Sequence, residues 1–448
     1  MMGKIERVII LLYIVFLPVT NITFLKDKIY TAGNSLSFYV HILGMVLMVF
    51  SCIKAKRLNL DYRIKMSVYI LTILNISSLL MAVVLHENLG VLIGRDTYKA
   101  VFPYLIYYSQ YILIIIYNSY IFNEVGMKKI VRWIMFSFIL LLIYGYIQLL
   151  LMRVNIGILN LAMSFLENVD IPYVLDRGKI NLTSTEASKA GCLLSVYVFP
   201  LLFSIYKNNV YKKSFIVLLI ALYLPILFFT QSTSGYIGFV IAVLCYYMLD
   251  LKRSMEKRRV HIHLTIAALV AVIALWIVID NFEAIEQSTI YQTTFVKLSD
   301  SENLSTMQRS TSIYTNMKAV LDYPILGVGN GNQGFFYIKY FPDWGFQSFE
   351  AAELYYDRTK WPGAGAFIPS YVSGYGALGV ILLLILIRNA WTSIRRLRGS
   401  KLNFISDFVI ISSAVFIFQA ISTTDVIGMY YLVFIYSLAI DTYSTSIK

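Results

Sequence analysis

The residues best suited to chemistry crowd into "LDRGKINLTSTEASKAG" (175–191), where Arg177, Lys179, Glu186 and Lys189 lie close together. Guanidinium and ammonium groups hold phosphates, the former through two parallel hydrogen bonds. A carboxylate beside them can take a proton or orient a cation. The plainer alternative is that these cations reach for lipid headgroups. A second stretch, "TQSTSGYIGF" (230–239), offers Ser232, Thr233 and Ser234 ahead of Gly235. Hydroxyls at a helix start either cap it or hold a phosphate over free N–H groups. Arg309 adds a further cation, and Glu350, Glu353 and Asp357 in "SFEAAELYYDR" add carboxylates. Of the 4 histidines only His86, in "LHENLG", falls beside these groups in the topology derived below. No Ser/His/Asp arrangement is visible. Cys52, Cys192 and Cys245 show neither disulfide nor metal-ligand spacing, so no metal or other cofactor is expected.

A third stretch is "DYPILGVGNGNQGFF" (322–336), in which Gly329, Gly331 and Gly334 spell G-x-G-x-x-G. Dinucleotide binding needs a buried strand before that pattern and a βαβ unit around it. Neither is present. The run reads instead as the turn that ends a helix over 305–321. That helix starts with Ser305 and Gln308 at capping-box spacing and stops at Pro324. Met307, Ile313, Tyr314, Met317, Val320 and Leu321 fall on or near one face, which predicts a helix that lies along the membrane surface or caps the bundle.

The elements that must position these groups follow from composition. The 448 residues are 58% hydrophobic and only 14% charged, with a mean hydropathy of +0.69. Soluble domains carry about 25% charged residues. The apolar residues come in unbroken blocks of roughly 20, the length that spans a bilayer core as a helix. Non-alternating blocks exclude a β-barrel. The expected fold is an all-α polytopic membrane protein with about twelve spans, near 5–25, 33–53, 64–85, 100–122, 129–151, 188–206, 214–231, 233–250, 263–280, 367–388, 402–421 and 425–441. Lys4 and Arg7 precede an apolar run without a small-residue cleavage site, which reads as a first span and not a signal peptide.

The net charge of +13 lies mostly in short loops such as "KAKR", "EKRR" and "SIRRLRGSK". The positive-inside rule accounts for it without nucleic acid. Both termini are then cytoplasmic, and two long segments face outward, 152–187 and 281–366. Three regions result: a bundle over 1–280, a large external loop over 281–366, and a last group of spans over 367–448. No charged residue lies mid-span, which disfavours an ion-coupled transporter. Asn75 and Gln110 do lie mid-span, where interhelical hydrogen bonds suit them.

In this order, "DRGKINLTSTEAS", "TQSTSGYIGF" and Arg309 followed by "DYPILGVGNG" resemble the Wzy-type O-antigen and capsular polysaccharide polymerases, which share a superfamily with the O-antigen ligases. Arg177, Glu186 and Ser188 fit the first motif, Ser232, Ser234 and Gly235 the second, and Arg309, Pro324, Gly327, Val328 and Gly329 the third. Two departures stand out. Ligases carry a His in the large loop, and 281–366 has none, which favours polymerase. An Arg usual in the Ser-rich turn is replaced by Thr233.

The resemblance implies a glycosyltransferase of the GT-C-like class in the bacterial cytoplasmic membrane, active on its external face and metal-independent. Its substrates would be undecaprenyl-diphosphate-linked oligosaccharides, and its partners membrane lipid, a chain-length regulator and a flippase. Arg177 and Arg309 would hold the departing diphosphate and Glu186 would serve as base or orient an Arg. Lys189, Ser232, Ser234, Gly327, Gly329 and His86 would line the substrate. Loop aromatics such as Tyr337, Tyr340, Trp344, Tyr355, Tyr356 and Trp361 could stack on sugars or pack the loop. A ligase and a lipid-linked oligosaccharide flippase are the alternatives.

Overall fold

A computed structural model describes residues 3–20, 35–55, 60–152, 178–184, 186–254, 304–357, 361–362, 366–398, 400, 402–422 and 430–446. Lipid offers the backbone no hydrogen-bond partners, so an apolar chain satisfies itself as helices. The order is α1 (Lys4–Val15), α2 (Leu36–Ala55), α3 (Tyr62–Leu89), α4 (Thr97–Val125), α5 (Met127–Leu151), α6 (Ala187–Lys207), α7 (Lys213–Phe229) and α8 (Thr233–Ser254). Then come α9 (Leu304–Asp322), α10 (Gln333–Lys339), a 3₁₀ turn (Asp343–Gln347), α11 (Phe349–Tyr356), α12 (Phe367–Leu397), α13 (Asn403–Ser422) and α14 (Tyr430–Ser446). The described residues form no strand. Seven helices, α3 to α6, α8, α12 and α13, are long and apolar enough to cross a membrane, and α2, α7 and α14 contain shorter apolar helices. The protein is an all-α polytopic membrane protein. The span expected at 263–280 lies outside the described residues. Caps fall where the sequence supplies them: Asp61 accepts from the Arg63 N–H at 2.9 Å and Asp96 from the Lys99 N–H at 2.8 Å.

The post of the bundle is α6, 89% buried over its spanning window, against 17 to 61% for the other long spans. It contains a π turn over Leu194–Val198, just before Pro200, which has no N–H to give. Its foot is pinned by an ion pair between Lys207 and Asp407 of α13 at 3.8 Å, both side chains buried. Asn208 donates to the same carboxylate at 2.9 Å, and Asn403 donates to Asn208 at 3.0 Å. Above its other end, Gln148 of α5 donates to Asn181 and to the Leu182 carbonyl and accepts the Leu182 N–H. At mid-bundle Asn118 joins three helices, accepting from Tyr13 at 2.9 Å and donating to Ser437 at 3.0 Å. Asn75 donates to Ser109 across the α3–α4 contact at 3.4 Å.

The glycine run is explained by a break in α12. Gly376 takes φ 58 and ψ −149, which opens the helix. The lost i to i−4 rungs are those from Ala377 to Ser373 and from Leu378 to Gly374. The segment Pro324–Gly329 inserts there and replaces both. Ala377 and Leu378 donate to the Pro324 and Ile325 carbonyls at 2.8 and 3.0 Å. The N–H groups of Val328 and Gly329 donate to the Ser373 and Gly374 carbonyls at 2.8 and 3.0 Å. All four orphaned groups are thereby satisfied inside an apolar bundle. Gly327, at φ 67, touches the α12 backbone so closely that a Cβ would overlap the Ser373 carbonyl. The remaining N–H groups are also engaged, Asn330 with Ser78 Oγ at 3.1 Å and Gly331 with Gln333 Oε1 at 2.6 Å.

The helix expected over 305–321 is α9, packed against α10, α11 and α12. The buried face is Thr311, Ser312, Thr315, Asn316 and Ala319. Tyr314, Met317 and Leu321 point outward, with Met317 47% and Leu321 73% exposed. Small polar residues allow close approach and hydrogen bonding: Asn316 accepts from Ser373 of α12 at 2.5 Å and donates to the Ser312 carbonyl at 2.7 Å. Where the surroundings are themselves apolar, nothing forces the apolar face inward. Beyond α9 the loop aromatics build a small core: Phe341 packs on Tyr337, Phe346 and Tyr355, and Tyr337 donates to the Ala351 carbonyl. Asp322 at the end of α9 binds Lys339 at 3.0 Å and also Tyr340.

Two outcomes follow. Ala at Gly327 or Gly376 combines a left-handed φ, costing about 1–2 kcal/mol, with backbone overlap costing about 1–3 more. Either variant should lower the unfolding midpoint in detergent sharply, whereas Ala at Gly3, with open space around it, should not. Separately, hydrogen bonds from Tyr340 and then Lys339 hold the Asp322 carboxyl below its ordinary range. The carboxylate therefore stabilises the α9–α10 junction at neutral pH, and that contribution is lost as pH falls through the lowered folded-state value. Asp322→Asn should lower the amide protection factors across 322–340 at neutral pH, as acid does in the parent.

Candidate functional site

The α6–α8 junction gathers several of the residues singled out by sequence. The turn after α7 brings Gln231 to φ 47 and aims its side chain at the Gly178 carbonyl, 3.3 Å away. The Ile180 N–H donates to the Phe229 carbonyl at 3.0 Å. These bonds dock the segment leading into α6 onto the Ser-rich turn. Glu186 is the residue before α6, in extended conformation. Its carboxylate accepts from Ser188 at 3.2 Å and pairs with Lys189 at 3.4 Å. The carboxylate side chain is 61% exposed and the ammonium side chain only 20%. A pair this open to solvent adds little stability, but it fixes a charge-bearing mouth at the end of the most buried helix.

Ser232 closes the other side. Its hydroxyl accepts the Gly235 N–H at 3.1 Å, so it caps α8 as one reading of the sequence has it. It also lies 3.1 Å from the Ser234 hydroxyl and reaches the Ser188 carbonyl at 3.5 Å. The helices approach this closely because Gly191 faces Gly235. A Cβ on Gly235 would stand 2.8 Å from Gly191 Cα, and one on Gly191 would stand 2.5 Å from Ser232 Oγ. Under this contact Gln419 of α13 donates to Ser195 Oγ at 2.7 Å and to the Ser234 carbonyl at 3.3 Å, and accepts from Cys192 Sγ at 2.5 Å. The arrangement offers one ammonium, three hydroxyls and one carboxylate. It can hold an anion beside a proton acceptor.

Residues 215–356 match the family model described as O-antigen ligase. The resemblance to the O-antigen polymerase/ligase superfamily is thus shown over α7, α8 and the segment through α11, including Ser232, Ser234, Arg309 and the loop in the α12 break. No curated protein matches the chain.

Within the matched region the other candidates sit on other elements. Arg309 is exposed on α9, which packs against α10, α11 and α12. Gly327 and Gly329 lie in the α12 break with their N–H groups engaged, Gly327 with the Tyr323 carbonyl at 3.0 Å. Outside the region, His86 at the end of α3 lies 3.3 Å from Thr97 Oγ1 and packs on Tyr98 at 4.6 Å between ring centres. Arg177 lies outside the described residues. Among the described residues no group of three or more His, Cys, Asp or Glu could hold a metal ion. Sequence reasoning missed Gln419, Cys192 and Ser195. A Gln inside the apolar run "FIFQAIS" was the available signal.

Gln419→Leu removes hydrogen bonds to both α6 and α8. Interhelical bonds in membranes contribute about 0.6 kcal/mol on average and about 1.7 at most. The variant should lose on the order of 1–2 kcal/mol in reversible denaturation in mixed micelles.

Proposed function

We propose that this protein is a polysaccharide polymerase that joins undecaprenyl-diphosphate-linked oligosaccharide repeat units at the outer face of the bacterial cytoplasmic membrane. What is established is coarser: a multi-pass membrane protein with a region of an O-antigen ligase family, which points to glycan transfer. The observation that carries the finer reading is the junction itself, where Lys189 and the hydroxyls of Ser188, Ser232 and Ser234 stand beside the exposed Glu186. The Lys and Arg runs support the proposed orientation, with both termini in the cytoplasm and the junction outside.

In the proposed step, an acceptor sugar hydroxyl attacks the anomeric carbon of the donor glycan. The new C–O bond forms as the bond to the diphosphate oxygen breaks. The bonding pair leaves with undecaprenyl diphosphate, and the hydroxyl proton passes to Glu186. Lys189, with Arg177 and Arg309 supplied from the outer loops, stabilises the departing charge. The donor's own leaving group drives the transfer, so no nucleotide sugar or metal enters the step. A chain-length regulator and a flippase would act beside it. The family's description favours a second reading, a ligase that moves finished polymer to another acceptor. The absence of His from 281–366 counts against it.

A glycan gel of a deletion strain beside its parent decides between them. Single exported repeat units in place of a ladder are expected. Full-length chains stranded on the carrier would mean ligase, and units trapped in the cytoplasm would mean flippase. Glu186→Gln should slow polymerisation by about 10²–10⁴-fold, the usual effect of a general base. Arg177→Ala and Arg309→Ala should each abolish polymer with the protein still in the membrane; wild-type chain length would remove either from the site.

A further inference from the structure

The turn between α3 and α4 carries a second pair of cations. Leu92 and Arg95 exchange both backbone hydrogen bonds, each 2.9 Å, across Ile93 and Gly94 at φ 54 and 67. A β-branched residue rarely accepts that conformation, so the turn is held by its surroundings. The Arg95 guanidinium lies 5.3 Å over the ring of Trp361, which itself packs edge-on against Phe335 at 5.2 Å. Asp96 is turned to the start of α4, where it accepts the Lys99 N–H. Arg95, Tyr98, Lys99 and Phe102 line a shallow, largely open depression. Lys99 is exposed and Phe102 is 56% exposed. Tyr98 and Phe102, one turn apart, form an exposed aromatic patch at the start of α4. The feature thus has cations at the top and an aromatic patch beside them on a membrane-spanning helix.

We propose that this pocket binds the phosphate or diphosphate head of an anionic lipid. Its phosphoryl oxygens meet Arg95 and Lys99, and its hydrocarbon chain begins along Tyr98 and Phe102. The guanidinium supplies a planar fork, oriented by Trp361, and the ammonium a mobile point charge. The pocket is built on α3 and α4, while the proposed transfer site is built on α6 and α8. It therefore stands whether or not the chain polymerises glycan. A polyprenyl diphosphate and an ordinary anionic phospholipid share the required chemistry.

The test is binding to the full-length protein in phosphatidylcholine nanodiscs, read by native mass spectrometry with undecaprenyl diphosphate, phosphatidylglycerol and inorganic pyrophosphate as probes. An anionic lipid should bind, and pyrophosphate should compete more weakly because it has no chain. Arg95→Gln and Lys99→Gln should each weaken lipid binding by about tenfold or more, as loss of a charge-assisted hydrogen bond does. Lys99 is exposed, so its variant keeps the test decisive if Arg95→Gln fails to fold. Preference for undecaprenyl diphosphate would assign the pocket to the carrier lipid, and preference for phosphatidylglycerol to bulk membrane lipid. Unchanged binding of both lipids in the double variant, or pyrophosphate binding as tightly as either lipid, would overturn the proposal. Polymer made normally by a variant that binds no lipid here would sink the pocket's role and leave the polymerase reading intact.

Discussion

Two glycines in contact, Gly191 on α6 and Gly235 on α8, set the geometry of the junction. In a membrane the hydrophobic effect does not press helices together, so close approach has to come from small residues and the hydrogen bonds they permit. At this separation Ser232 can cap α8 and still reach across to the Ser188 carbonyl. Gln419 can bridge Ser195 on α6 and Ser234 on α8 from a third helix. A methyl group at either glycine would open the junction, and each of these bonds would lengthen together. The ion pair of Lys207 with Asp407 at the far end of α6 fixes the same helix from below. The carboxylate of Glu186 is therefore presented from a rigid post, although it is itself largely in solvent.

The large loop is attached by a different device. A helix break leaves orphaned carbonyls and N–H groups, which cost several kcal/mol each where water cannot reach them. Here the Pro324–Gly329 segment supplies a donor or acceptor for each one. The bond set is directional and specific to that register, so it holds α9 and α10 in a defined position against α12. The glycines serve this close backbone contact. That they also spell a dinucleotide pattern reflects a shared need of both settings: backbone approached by another group with no side chain between.

Most span positions were legible because a bilayer imposes a minimum apolar run, and α7 and α8 with almost no loop between them follow from "TQSTSG"; the first span, expected over 5–25, is instead a 12-residue helix over Lys4–Val15 that is not among the seven long enough to cross. Also legible was the helix that ends before Pro324, although it begins at Leu304, which puts Ser305 inside its first turn and not at its cap. The facing of α9 was not legible. Helical periodicity identifies an apolar side, but assigning that side to the core assumes water on the other, and Thr311, Thr315 and Asn316 face inward instead. The α12 break was hidden for a related reason: "YVSGYGALG" reads as continuous span, and only the partner segment, distant in sequence, shows why Gly376 leaves the helix. Gln419 was equally obscure, since its three partners come from α6 and α8 and no local pattern marks them.

The junction's electrostatics give the proposed reaction an order. Lys189 is largely shielded and already paired to the exposed Glu186. An incoming diphosphate and Glu186 are thus competitors for one ammonium. A diphosphate carries more charge than a carboxylate and gains more from a shielded cation. Its arrival at Lys189 draws the ammonium away from the Glu186 carboxylate, which keeps its hydrogen bond from Ser188. On the reading proposed above, donor binding itself frees the base that the acceptor hydroxyl needs.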